Sequence, residues 1–186
     1  MSPATAALST IVRPAKVEDA EKLHQIIHGG YRTTDSWTTE HHLVSGERIS
    51  VDAVVDTIES DIDELFVACL EEGDPSEPVG CICVQFARDH AHLGLSDDHA
   101  MLGLFAVDPK HQSCGMGNKL LSYSLDHIKE VGSCKFATIW VIEQREDIIA
   151  WYERKGFKHT GKRVPFVAPD LALVKNMHFA VMEKAL

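Results

Sequence analysis

Much that would direct this chain elsewhere is missing from its 186 residues. No run of 18 apolar residues occurs, so no membrane-spanning helix is expected. The opening "MSPATAALST" lacks a basic stretch followed by a long apolar one, so no secretory leader is expected; residues 1–8 read as a flexible lead-in, and the location as cytoplasmic. Basic residues are scarce: 18 Lys and Arg against 28 Asp and Glu leave a formal charge of -10, which argues against nucleic acid as a partner and mildly favours a cationic substrate. The five cysteines are odd in number and fit no zinc spacing, so free thiols in a reducing compartment are expected. Cys81 and Cys83 share one face of a strand. Internal repeats and low-complexity tracts are absent.

What is present is an ordinary globular composition with punctuated periodicity. "STIVRPA" reads as a first strand. "KVEDAEKLHQIIHGGYR" reads as a helix with Val17, Ala20, Leu23, Ile26 and Ile27 on one face, and Gly29-Gly30 as its C-terminal stop. "TTDSWTTEHHLVSGERIS" reads as a loop and "VDAVVDTIESD" as a short helix. "DELFVACLEE" and "VGCICVQFAR" flank the turn residues of "GDPSEP" and form a hairpin. "DHAHLGLSDD" reads as a loop. "HAMLGLFAVDP" is a strand, "GNKLLSYSLDHIKEVG" a helix, "KFATIWVI" a buried strand, and "REDIIAWYERKG" a helix stopped at Gly156. "FKHTGKRVPFV" and "HFAVMEKAL" are the last strands. The order predicts one α/β domain over residues 9–186: a mixed sheet with helices on its faces.

One stretch stands apart. "HQSCGMGNKLL" places two glycines between a strand and a helix. The first amides of a helix have no intrahelical acceptor, and the helix dipole adds positive charge there. Glycine lets an anion approach that backbone without a Cβ in the way. A tight turn would use the same residues, but a phosphate cradle is the functional reading, with Lys110 and Lys119 nearby to add charge. A dinucleotide loop would need a third glycine where Leu120 stands, and a nucleotide-triphosphate loop would need G-K-[ST]; neither fits.

Here the chain resembles the GCN5-related N-acetyltransferases. "GLFAVDPKHQSCGMGNKLL" is similar to that family's fourth strand, its Q/R-x-x-G-x-G/A loop for acetyl-CoA, and its third helix. Gln112, Gly115 and Gly117 match, while Ser113 stands where many members have another glycine. "IIAWYERKGF" resembles the second signature, a helix carrying a tyrosine shortly before "GF". The likeness runs from about Leu65 to the C terminus, and the first strand and helix pair fit as well.

The resemblance implies a mostly antiparallel seven-stranded sheet with about four helices, in which strands 4 and 5 splay apart. It implies acetyl-CoA as co-substrate, its pantetheine arm along the backbone of Phe105, Ala106 and Val107, and its diphosphate on the amides of Gln112, Ser113, Cys114, Gly115, Met116, Gly117 and Asn118. The implied reaction is direct acetyl transfer to the amine of a small molecule or peptide, by an acyltransferase of class EC 2.3.1.-. A non-catalytic acyl-CoA-binding module is the alternative. Tyr152 is the candidate general acid, because a phenol is protonated at neutral pH and can donate. Glu40 is the candidate base, in a loop whose Tyr31, Trp37, His41 and His42 would wall a cationic amine. Many members carry asparagine seven residues before the tyrosine; here it is Arg145, expected to face the cofactor or the acceptor. Trp151 is expected to pack. No metal is expected: His90, His92 and His99 among aspartates match no ligand spacing and read as a solvated loop. A homodimer through the last strand is a further expectation.

Overall fold

The structure, a computed structural model, describes residues 9–72, 74–132 and 134–186; the lead-in expected over residues 1–8 lies outside them. Seven strands form one sheet in the order β1-β2-β3-β4-β5-β7-β6. They are β1 Thr10–Pro14, β2 Asp63–Leu70, β3 Pro78–Phe86, β4 His99–Val107, β5 Phe136–Ile142, β6 Lys158–Pro165 and β7 His178–Ala185. The helices are α1 Ala20–Arg32, α2 Val51–Glu59, α3 Met116–Val131 and α4 Glu146–Arg154.

Both faces of the sheet are covered, which is why β2 and β3 read as nearly continuous apolar runs rather than as alternating ones. On one face Leu23, Ile26 and Ile27 of α1 and Val54 of α2 pack with Leu65, Val67, Cys69, Cys81 and Cys83. On the other, Leu120, Leu121, Leu125 and Ile128 of α3 and Tyr152 of α4 pack with Phe66, Ala68, Ile82, Val84 and Ile139. Each fully buried aliphatic side chain contributes about 1.5–3 kcal/mol.

Gly29 and Gly30 do not stop α1, which runs on to Arg32. They serve its packing. A Cβ on Gly30 would lie 3.3 Å from the Ala106 Cβ, and one on Gly29 would lie 3.3 Å from Pro109 Cδ. The missing side chains let the helix sit close over β4, and spacing alone does not separate that use from a helix stop.

β4 and β5 are the parallel neighbours of the sheet, and they pair only from His99↔Phe136 to Met101↔Thr138. Beyond that point they part. β4 continues antiparallel to β3 as far as the Gly80↔Val107 pair, while β5 follows β7 to the Ile142↔Phe179 pair. The opening between them positions the site.

Candidate functional site

A cleft of about 420 Å³ occupies the opening. Phe105 and Val107 line it from β4, Trp140 and Val141 from β5, and Gln112, Ser113, Gly115, Gly117 and Asn118 from the glycine loop. Arg145, Ile148, Trp151, Tyr152 and Arg154 line it from the α4 region, and Tyr31, Trp37, Thr38 and Glu40 from the end of α1 and the segment after it.

At one end lies the start of α3. Its N-cap, Gly115, has φ +89°, in the left-handed region, and a Cβ there would meet nothing within 4 Å. The first hydrogen bond of the helix is Lys119 N–H to Gly115 O at 3.1 Å. The amides of Met116, Gly117 and Asn118 precede it and have no intrahelical acceptor. A Cβ on Gly117 would lie no nearer than 3.6 Å to Phe105 Cζ and 3.9 Å to Trp151 Cζ2, ordinary contacts with two side chains that line the cleft. Ser113 also has a left-handed φ of +62°, a region that glycine enters without a Cβ penalty. These features make a cradle for an anionic group.

The other expected residues of the loop are placed differently. Met116 is buried in the core, Ala106 turns to the α1 face, and the Cys114 thiol donates to His111 O at 2.7 Å; these can offer only backbone to a ligand in the cleft. Gln112 fastens the wall. Its Nε2 donates to Val107 O at 3.0 Å and to Ser36 Oγ at 2.9 Å, and its Oε1 accepts from Trp37 N–H at 3.3 Å. Lys119 donates to Thr10 Oγ1 at 2.9 Å, and neither it nor Lys110 lines the cleft.

Arg145 holds the same wall from the opposite side. Its guanidinium, only 5% exposed, donates to Thr38 O at 2.8 Å and makes two bonds of 3.0 Å to Asp147. Burial opposes ionisation of Asp147, but the Arg145 bonds and charge prevail and hold its carboxyl below the ordinary value. The segment 36–38 is thus tied to β4 through Gln112 and to α4 through Arg145.

Tyr152 lies on the cleft with its ring edge-to-face on Trp151 and on Phe157. Burial, with the Tyr31 phenol adding to it, pushes its pKa well above that of an ordinary tyrosine. Tyr31 is pushed up to about 12, chiefly by burial, and its hydroxyl donates to Phe105 O at 3.1 Å. Glu40 accepts at Oε2 from Arg32 at 3.1 Å, and the Arg32 side chain is itself buried. His41 and His42 are exposed and do not line the cleft.

Trp151 packs edge-to-face on Phe105, with ring centroids 6.0 Å apart, and also lines the cleft. Trp140 and Arg154 line it too; which face of β5 and α4 meets the opening depends on where β4 and β5 part, and no local pattern states that. The region read as a solvated loop is partly anchored. His90 is buried, with Nε2 3.2 Å from Ile62 O and 3.3 Å from Asp63 Oδ1, and His99 stacks on Phe136. Among the described residues no three His, Cys, Asp or Glu side chains are grouped as metal ligands.

Comparison with known proteins follows this geometry. A family model described as the acetyltransferase (GNAT) family matches residues 30–157. The mycothiol acetyltransferase of Kocuria rhizophila is 28% identical over 95 residues, which are 50% of this chain and 29% of that protein. The spermine/spermidine N(1)-acetyltransferase of Bacillus subtilis is 31% identical over 61 residues, 33% of this chain and 40% of that protein. The chain thus spans less than half the length of these curated relatives. Arabidopsis thaliana NAA60, solved in complex with acetyl-CoA, superposes with a TM-score of 0.71 at 14% identity, covering 96% of this chain and 99% of that one, a likeness of fold.

Proposed function

Because the chain belongs to the acetyltransferase (GNAT) family, we propose that it moves the acetyl group of acetyl-CoA to the amine of a small molecule or peptide. The observation that carries this reading is the cleft where β4 and β5 part, with the unpaired amides at the start of α3 at one end and a buried, protonated phenol beside it.

Acetyl-CoA supplies an activated acyl group on a thiolate leaving group. The α3 amides and the glycine loop bind its diphosphate, and the parted edge of β4 at Phe105–Val107 aligns its pantetheine arm. A backbone N–H of β4 polarises the acetyl carbonyl, a donor already in place that needs no reorganisation. Glu40, through Oε1, accepts the proton of the incoming ammonium directly or through water. The neutral amine then attacks the carbonyl carbon, the C–S bond breaks, and the departing thiolate takes the proton of Tyr152. Holding both reactants in one cleft contributes much of the rate. Arg145 keeps the acceptor wall in place through Thr38.

The acceptor end also narrows the substrate. Among the described residues lining the cleft, Glu40 is the one carboxylate, and it is ion-paired. A polycation would lack partners for its further charges. Tyr31, Trp37 and Trp140 instead suit an amine carrying one charge and an apolar body.

Titration calorimetry with acetyl-CoA, CoA and NADH, followed by thiol release over an amine panel, tests the proposal. The expected result is that acetyl-CoA binds and NADH does not, and that thiol release is faster with aromatic monoamines or peptide N termini than with polyamines. Binding without thiol release from any amine would identify a non-catalytic acyl-CoA module. Absence of acetyl-CoA binding would overturn both readings.

A further inference from the structure

β4 does not run regularly past β3. Cys81 faces Ala106 and Cys83 faces Gly103, so Ile82 alone stands opposite both Leu104 and Phe105. This is a bulge of two residues against one. Leu104 sits at φ +41°, a left-handed conformation that costs a non-glycine residue about 1–2 kcal/mol.

The bulge changes the phase of the strand. Before it, Ala100 and Leu102 pack on the α3 and α4 side. Strict alternation would send Leu104 the same way. Instead Leu104 and Ala106 pack on the α1 side, and Phe105 and Val107 turn to the α3 side, where they line the cleft. Without the extra residue Phe105 and Val107 would face α1.

Two backbone carbonyls of the bulge accept hydrogen bonds from side chains. The Cys81 thiol donates to Leu104 O at 3.2 Å. The Tyr31 hydroxyl donates to Phe105 O at 3.1 Å. Cys81 is fully buried, and burial pushes its pKa up to about 12, so at neutral pH the sulfur keeps the proton it donates.

We propose that Cys81 and Tyr31 are positioning residues, which together hold the β4 bulge in the phase that turns Phe105 and Val107 into the cleft and so align the strand edge for the acyl-CoA. The functional consequence rests on the acyl-CoA reading above; the clamp itself does not. Tyr31 also lines the cleft, so the acceptor wall and the cofactor edge share one side chain.

The test compares Cys81→Ala, Cys81→Ser and Tyr31→Phe with Cys83→Ala, which removes a sulfur from the same core cluster. Two quantities are read: kcat and KM for acetyl-CoA, and hydrogen exchange of the amides at residues 104–107 in the protein alone. Cys81→Ala and Tyr31→Phe are each expected to lower kcat/KM by about tenfold, the loss of a hydrogen bond of ordinary strength. Cys83→Ala stays within about twofold, because a smaller core residue leaves the bulge bonds intact. Cys81→Ser recovers most of the loss, since a hydroxyl can donate to the same Leu104 carbonyl. Exchange of the amides at residues 104–107 speeds up in Cys81→Ala and not in Cys83→Ala. Equal losses in Cys81→Ala and Cys83→Ala, or unchanged exchange at residues 104–107, would reduce Cys81 to packing and overturn the proposal. If the wild-type protein released no thiol while the exchange difference held, the clamp would stand and the acetyl-transfer reading would fall.

Discussion

At Tyr152, burial and chemistry act in the same direction. A desolvated phenol resists ionisation, and the Tyr31 phenol adds to that resistance, so the hydroxyl remains a proton donor well into the alkaline range. Two consequences are measurable. Tyr152→Phe is expected to lower kcat by about 10²-fold or more, in the range of general-acid effects, while calorimetry finds acetyl-CoA affinity nearly unchanged. Equal loss of kcat and affinity would instead mark Tyr152 as a packing residue. The sign of the pH dependence follows from the raised value: the phenol stays protonated up to and beyond the ordinary tyrosine pKa of about 10. The wild-type rate is therefore expected to show no alkaline fall from Tyr152 below that pH, and a rise on the acid side as the acceptor ammonium loses its proton. Glu40 is a different case, because its carboxylate is already engaged by a buried arginine. That pair explains why a single acidic residue in the wall does not make the site an acidic one.

Elements define the site by how closely they approach one another. α1 lies over β4 so closely that a Cβ on Gly30 would sit 3.3 Å from the Ala106 Cβ, a tight contact, whereas α3 begins where a Cβ on Gly117 meets only ordinary contacts. The two glycines, both near the cleft, are thus expected to respond differently. Gly30→Leu forces the helix off Ala106 and destabilises the fold by about 1–3 kcal/mol, the usual cost of overpacking. Gly117→Leu leaves the melting temperature nearly unchanged and abolishes acetyl-CoA binding, because the added side chain grows into the cradle. Thermal melts beside calorimetry for the two variants check the pair. Undiminished binding by Gly117→Leu would remove the diphosphate from the start of α3. The wall segment 36–38 belongs to this scale as well. It is a loop, yet Gln112 and Arg145 bond it on both sides, which gives an irregular segment fixed geometry at the wall where the proposed amine would be oriented.

For the whole molecule, a ligand that binds only the folded chain adds stability by mass action. At a concentration of acetyl-CoA about 100 times its dissociation constant the gain is about 2.7 kcal/mol, seen as a higher unfolding midpoint, and NADH at the same concentration is expected to add none. The strand and helix order, the hairpin, the glycine cradle and the Tyr152 helix were legible in the residues, because each rests on local periodicity, turn chemistry or a short motif.

What the sequence determined by itself is therefore the set of elements and the glycine-flanked start of α3, since those depend on neighbours within a turn or two of chain. Only the tertiary structure decided that Gly29 and Gly30 serve packing, that Trp140, Trp151 and Arg154 reach the cleft, that Arg145 and Gln112 hold its wall, and that Cys81 and Tyr31 meet the β4 bulge. Most of those contacts join residues far apart in the chain, 23 positions for Cys81 with Leu104 and 107 for Arg145 with Thr38. They are set by where two strands part and by a one-residue change of register, and a sequence pattern read within one element carries neither.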